Sequence, residues 1–524
     1  MNNKFNIYKA PASCTEDSFA VLWDKPNGID ILAYNVYIND KAYSSIKHTD
    51  YTVYGLESDT EYCVRVSVID REGNEVAYSN EIRIKTGKKS QIINVNDFGA
   101  AGDGKTVDTK AIQRAIDECG EFGTVYIPKG KYISGALYLK SNMTLYIEQG
   151  AVIKGSPCCE DYPLHTYRWE GRERLCHASL INVGIDTDNN MENISIIGGG
   201  TIDANGEELK KSEQSMGQAE RGRAVCIRNA SNVYLKDITV RHSPAWCVHL
   251  IRCENVSINN IKVYTRVDEY GNKYKDIVNG DGIDPDSCRN VYIFNSMIAS
   301  QDDCIAIKSG RDEEGRKAGL RSDNIRITNC RFESGFGVAV GSEMSGGVSN
   351  ILVRDCVFRN TFSIGSIKTC RGRGGIIENI LFEDVEIVNC DDEFSDCEWF
   401  RGAIYIDCYY SLKEISQKEE RVDEGTPLIR NVTFKNAVVD TCGGNAIYIC
   451  GLPEKHLENI TLENVIASGK YGMKAYYVDG LEMKNVIVSA REGEKFYGEA
   501  KKLYNIQVGG QAVLRKTIRG YNSL

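Results

Sequence analysis

Nine times the chain returns to one phrase: Asn, then Val or Ile, any residue, usually an aliphatic, any residue, and often Asn or Asp. It stands at Asn193, Asn232, Asn255, Asn290, Asn324, Asn350, Asn379, Asn431 and Asn459, and most successive spacings run from 23 to 39 residues. A unit this short cannot bury its own apolar face, so it must stack on copies of itself; a period in this range with strand-like patterning predicts a solenoid of β-coils. Each phrase reads as one strand plus its turn, and the whole as a parallel β-helix. Six residues after the repeat Asn stand Ile238, Ile261, Cys330, Cys356, Val385, Ala437 and Val465, with Ser296 as the polar exception. These are expected to form an inward column of stacked side chains. Asn193, Asn431 and Asn459 also fit the glycosylation sequon, here a by-product of the repeat.

At 524 residues the chain exceeds one ordinary globular core, and 49 Gly against 9 Pro, with many Val, Ile, Asn and Tyr, points to short strands joined by turns. The chain reads as all-β, in two domains. Residues 1–88 show period-two strands at Val21-Leu22-Trp23, Ala33 to Tyr37, Glu61 to Val66 and Glu81 to Ile84, the pattern of a small β-sandwich. With Trp23, Tyr34, Leu56 and Thr60-Glu61-Tyr62, this segment resembles a fibronectin type III domain, which implies a spacer or docking module without catalysis. Gly87-Lys88-Lys89-Ser90 reads as the linker, and residues 89–524 as the solenoid. Near its start Ala111, Ile112, Ala115 and Ile116 share one helical face, with Asp108 or Thr109 as N-cap. This helix is expected to lid the open first coil. The glycines at 102 and 104 lack the Lys-Ser/Thr of a phosphate loop.

A net charge of −10 argues against nonspecific nucleic-acid binding, which depends on neutralising phosphates. The start, Met1-Asn2-Asn3-Lys4-Phe5-Asn6, carries no apolar leader, and no run of eighteen apolar residues occurs, so the reading is a cytoplasmic protein that uses no membrane. The 19 Cys are scattered, without C-x-x-C spacing, and suit reduced packing residues. Oligomeric state is not legible.

Chemistry concentrates in two neighbouring stretches, Asn279-Gly280-Asp281-Gly282-Ile283-Asp284 and Gln301-Asp302-Asp303-Cys304-Ile305-Ala306-Ile307-Lys308. An isolated Asp-Asp is most often a surface turn. Here Asp281 lies 21 residues before Asp302, about one coil, and the coil between Asn255 and Asn290 holds an insertion of roughly Thr265 to Asp276. The same counting puts Asp302 and Phe336 each 12 residues after a repeat Asn, at equivalent sites on neighbouring coils. Asp281, Asp302, Asp303 and Phe336 would then line one face. Three carboxylates in one cleft supply a proton-carrying acid and an ionised base, as cleavage of a glycosidic bond requires.

From residue 90 onward the sequence resembles glycoside hydrolase family 28, the polygalacturonase family, in Asn279-Gly280-Asp281, Asp302-Asp303, Gly335-Phe336-Gly337, Gly341-Ser342, Ser366-Ile367-Lys368, Asp97-Phe98-Gly99-Ala100 and Gly200 to Asp203. The run Gly341 to Gly347 looks like exo-acting members. The resemblance implies a right-handed, pectin-lyase-like parallel β-helix that hydrolyses pectin-derived, anionic oligosaccharides with inversion, without metal or cofactor. It makes Asp303 the general acid, gives Asp281 and Asp302 the water, and puts Lys368 on the uronate carboxylate. Two departures stand out: Phe336 where the family usually has His, and Ser366 where it usually has Arg. Further substrate-binding candidates are Asn279, Lys308, Arg371 and Arg373, the last two weighed evenly against a solvated turn. Trp169, in a polar loop, is the better sugar-stacking candidate, with Trp246 at least as readily a core aromatic. The readings that compete are a rhamnogalacturonan- or xylogalacturonan-directed hydrolase, a lyase on the same fold and a non-catalytic carbohydrate-binding β-helix.

Overall fold

The computed structural model describes residues 4–185, 190–217, 219–389, 401–410, 412, 416, 418–493, 495–500, 506–508 and 511–513. The chain opens as a sandwich. A three-stranded antiparallel sheet (Ile7–Lys9, Phe19–Trp23, Asp50–Val53) faces a six-stranded one built on Ile31–Ile38 and Glu61–Asp70. Trp23 and Tyr34 meet edge to face at 5.4 Å in its core, beside Phe19, Val36, Val64 and Val66. The last strand of the sandwich is Ile82–Lys85 and the first of the solenoid Ile92–Asn94.

From there 34 strands form one continuous, almost entirely parallel sheet wound into coils, each strand pairing with its counterpart one coil on. The repeat asparagines explain the winding. All nine sit in the left-handed region, with φ between +52° and +59°, where a short side chain able to bond locally is tolerated best. Their amides bond from coil to coil: Asn232 donates to Asn193 at 3.0 Å, Asn324 to Asn290 at 2.8 Å, and Asn459 to Asn431 at 3.1 Å. The Asn or Asp closing each phrase builds a second ladder, seen where Asn464 donates to Asn436 at 2.9 Å and Asn436 to Asp384 at 2.8 Å. The sixth-position column is interior throughout: Ile238, Ile261, Ser296, Cys330, Cys356, Val385, Ala437 and Val465 are all at most 3% exposed.

The helix Thr109–Glu118 buries Ala111, Ile112, Ala115 and Ile116 against the first coil. Asp108 holds the N-cap position but its carboxylate is used elsewhere, accepting the amides of Ala101 (2.7 Å) and Gly102 (3.2 Å) and so shaping the glycine loop. The sandwich lies along the outside of the solenoid rather than at the end of a tether. Tyr8 meets Tyr292 at 6.1 Å, Ala10, Ala20 and Leu22 pack with Phe294, Arg326 pairs with Asp24 at 2.6 Å, and Lys236 donates to Ser18 at 2.9 Å.

One sheet of the solenoid positions the site. Its strands are β1 (Val225–Arg228), β2 (Val248–Ile251), β3 (Ile283–Asp286), β4 (Ile305–Ile307), β5 (Val338–Gly341), β6 (Gly365–Lys368), β7 (Gly402–Asp407) and β8 (Asn445–Cys450). Ile283, Ile305, Val338, Val340 and Ile367 point into the core, so the alternate positions face outward. Two outward columns result. One carries His249, Asp284, Ala306, Ala339, Ser366 and Tyr405; the other carries Asp286, Lys308, Gly341, Lys368 and Asp407.

Candidate active site

Asp281 lies on the turn entering β3, and Asp302 and Asp303 on the turn entering β4, one coil further on. Main-chain bonds lock the two turns together. Gly280 O accepts from Gln301 N (3.1 Å) and Asp302 N (3.3 Å), and Gly282 N donates to Asp303 O (3.0 Å). The approach is close enough to require glycine. A Cβ on Gly282 would stand 2.4 Å from Cys304 O, and one on Gly335, which has φ +102°, 2.4 Å from Asp302 O. The inserted residues fall between the strand Lys262–Tyr264 and β3, so the spacing of this coil drops from 35 residues to 22 at the site sheet.

Phe336 departs from the expected register. Ile305 pairs with Val338, which sets Phe336 level with Asp303; its amide donates to Asp302 O at 3.2 Å. Counting from the repeat asparagines misses this because the pairing shifts register between Ile298 and Ala299. The Phe336 ring is 6% exposed and belongs to the solenoid core near Phe362.

The carboxyls are held in a charge lattice. Lys368, reaching from the end of β6, donates to Asp303 Oδ2 at 2.5 Å, and Asp303 Oδ1 is buried without a hydrogen-bond partner. Burial, assisted by the neighbouring Asp302 charge and opposed by Lys368, pushes the Asp303 carboxyl up to about 7. Burial opposes the Lys368 charge as well, yet Asp303 outweighs it and holds the ammonium above the usual lysine range. Asp281, 4% exposed, is raised well above the ordinary carboxylate range by burial and by the charges of Asp284, Asp302 and Asp303, with Lys308 opposing. Asp302 is half-buried and its Oδ1 accepts the Asp303 amide at 2.9 Å.

The other candidates are placed differently from one another. Asn279 Oδ1 accepts from Arg221 at 2.6 Å at the rim. Lys308 is not offered to a ligand: it is 4% exposed and its ammonium contacts Asp284 (2.6 Å) and Asp281 (3.3 Å). Arg371 forms a fork with Glu454 (2.7 and 2.8 Å), and Arg373 donates to Ser342 O (2.9 Å) and pairs with Asp312. Neither guanidinium is a spare cation for a sugar, nor is either the free, solvated turn of the alternative reading. Trp169 does not stand in a polar loop. It ends the first strand of a hairpin (Leu164–Trp169 with Arg172–His177), is 8% exposed, and stacks on Trp246 at 4.7 Å. Ser366 is fully buried with an unpartnered Oγ, and Tyr405 stands in register on the next coil.

Sequence reasoning passed over Asp284, Asp286 and Arg168. Asp286 is held well below the usual carboxylate range, burial notwithstanding, by Arg168 at 2.7 Å. The period-two alternation Ile283-Asp284-Pro285-Asp286 carried the signal that both acids face outward with the site.

A parallel β-helix with three carboxylates on one outward face, two of them deeply buried and braced by lysines, is the apparatus of a polysaccharide-acting β-helix hydrolase. The sequence model for glycosyl hydrolases family 28 matches residues 126–486, and that for the fibronectin type III domain residues 9–85. A probable polygalacturonase of Vitis vinifera is 30% identical over 387 residues, 70% of this chain and 72% of that protein. The family 28 exopolygalacturonase structure of Yersinia enterocolitica superposes with TM-score 0.80 at 24% identity, over 97% of this chain and 100% of that one. The hyperthermoactive exopolygalacturonase of Thermotoga maritima gives TM-score 0.64 at 28% identity, over 82% and 95% of the two chains. The chain belongs to glycosyl hydrolases family 28 and is a glycoside hydrolase with an N-terminal fibronectin type III domain.

Proposed function

We propose that this protein is an inverting, exo-acting hydrolase that removes a terminal galacturonic acid, or a closely related sugar, from pectin-derived oligosaccharides. The observation that carries the reading is the convergence of Asp281, Asp302 and Asp303 on one face, with the Lys368 ammonium 2.5 Å from Asp303. Exo action is supported by likeness to the Thermotoga maritima exopolygalacturonase. Lys368 is the cation available to a uronate carboxylate, which would share it with Asp303.

Two divisions of labour fit the geometry. In the first, Asp303 is the acid: burial raises its pKa to about 7 and keeps it protonated in mildly acidic medium, while Asp281 and Asp302 polarise the attacking water. The second rests on the Lys368 contact and on strand pairing. Counting back from Ile283 opposite Ile305 puts Asp281 level with Asp303, and a lysine beside each favours the carboxylate form. Those two would then share the water, with the more exposed Asp302 protonating the leaving oxygen. Either way acid and base act from opposite sides of the bond, roughly 6.5–9.5 Å apart with substrate bound.

The test is digestion of defined tri- and tetragalacturonate with proton NMR of the first product. Release of monogalacturonate with inverted anomeric configuration is expected. An unsaturated, UV-absorbing product instead assigns a lyase, binding without turnover assigns a carbohydrate-binding β-helix, and preference for xylogalacturonan or rhamnogalacturonan oligomers assigns the related hydrolases. We further place the protein in the cytoplasm, supported by the 17 described cysteines, all free thiols. Activity confined to the periplasmic or culture fraction of the producing cell would overturn that placement.

A further inference from the structure

The geometry points to Lys308 as a positioning residue for the cleavage: anchored by Asp284 against the face of Trp246, its ammonium sets the protonation of Asp281 and does not bind the sugar. This rests on the reading of Asp281 as one of the reacting carboxylates.

Lys308 follows β4 in the outward column, level with Asp286 and Gly341, and its side chain reaches back across one coil. The ammonium lies 2.6 Å from Asp284 Oδ2, 3.3 Å from Asp281 Oδ2 and 4.0 Å from the Trp246 ring centroid. One buried cation thus serves two buried carboxylates, and the shorter bond goes to Asp284, which is fully buried and has an unpartnered Oδ1. Asp284 is therefore the anchor. Asp281, nearer solvent at 4% exposure, receives the weaker share of the positive charge. The cation has little room to move, because Trp246 is backed by Trp169 at 4.7 Å and by the Arg223 guanidinium at 5.2 Å. A cation on an aromatic face and between two acids has no remaining direction in which to meet a substrate.

The other charged groups facing this assembly are Asp302 and Asp303 on the next turn, Glu343 after β5, and Asp286 in β3, which is neutralised by Arg168. His249, 5.1 Å from Trp246, is fully buried, which drives its pKa down to about 3, so it adds no charge at neutral pH. Lys308 is accordingly the one lysine of the described residues in contact with Asp281, and Asp284 competes for it.

Two variants should move the same limb of the pH profile in opposite directions. Lys308→Met withdraws the cation, so the ascending limb of kcat/KM on trigalacturonate should shift alkaline by about one pH unit or more, with KM unchanged. Asp284→Asn leaves the cation to Asp281 alone, and the limb should shift toward acid. Because Lys308→Met leaves two buried carboxylates without a cation and threatens folding, Lys308→Met/Asp284→Asn, which removes the pair together, serves as the second variant. Its limb should lie between those of the two single variants. A raised KM with an unmoved limb makes Lys308 a sugar contact and overturns the proposal, as do shifts of equal sign.

Melting across pH reads the same balance without substrate. Since Asp281 titrates above its unfolded value, stability falls as pH rises through its window. Lys308→Met should steepen that fall and Asp284→Asn flatten it; profiles parallel to wild type overturn the proposal. A wild type that hydrolyses no galacturonide sinks the functional reading by itself, and the melting series then decides the inference alone.

Discussion

Replacing Asp303 by Asn tests the site most sharply. The side chain is 4% exposed, its Oδ2 meets the Lys368 ammonium at 2.5 Å, and Oδ1 has no hydrogen-bond partner. An amide keeps the shape and can still accept from Lys368 through its oxygen, so substrate affinity should hold. It can neither deliver nor take a proton. Positioned proton transfer is worth about 10²–10⁴ in rate, about 3–5 kcal/mol of barrier at 1.36 kcal/mol per decade. The expected result on trigalacturonate is a loss of that size in kcat with KM within a factor of about two to three, as for an interaction made only in the transition state. An aryl galacturonoside whose leaving group needs no proton separates the two divisions of labour. If Asp303 is the acid, Asp303→Asn recovers most activity on that substrate while Asp281→Asn does not; if Asp302 is the acid, Asp302→Asn recovers instead. Stability supplies a second sign. The Asp303 carboxyl titrates near 7 in the fold against an ordinary value of 3.8, so the native state loses stability as pH rises between those values. Asp303→Asn removes that slope. Turnover within tenfold of wild type on trigalacturonate would refute a proton-transfer role for Asp303 under either division.

Thiol labelling of the native protein should be slow at Cys330 and Cys356, at most 3% exposed in the interior column; rapid modification of either would contradict the coil register. Ser366→Arg, which restores the usual family residue, should cost about 1–3 kcal/mol by overpacking a fully buried position, read as a lowered Tm, and should not improve hydrolysis of plain galacturonides. An improvement, alone or combined with Phe336→His, would mean that the buried Ser366 is what limits substrate choice. Trp169→Ala should lower stability by about 3–5 kcal/mol through loss of its stacking on Trp246, and a rise in KM without a fall in Tm would instead make the indole a sugar platform.

What the sequence by itself determined is whatever repeats or lies close along the chain. The coil periodicity was legible because a left-handed turn residue is needed at every corner, and Asn recurs wherever that need recurs. The interior column followed from counting six residues on, and the lid helix from one apolar face. Asp281, Asp302 and Asp303 were found together because stacking converts about one coil of sequence into one strand spacing. Tertiary structure alone decided which charges were spoken for. Arg371 finds Glu454 at a separation of 83 residues, Arg168 finds Asp286 at 118, and the Trp169 hairpin folds onto Trp246; no local pattern encodes such partners. The same limit hid the shift at Ala299, which moved Phe336 from the level of Asp302 to that of Asp303. Periodicity fixes the position of a residue along its own coil. Whether a lysine or arginine there is free for substrate or neutralised depends on side chains arriving from distant coils, and burial makes that pairing compulsory, because an unpaired charge is costly to remove from water.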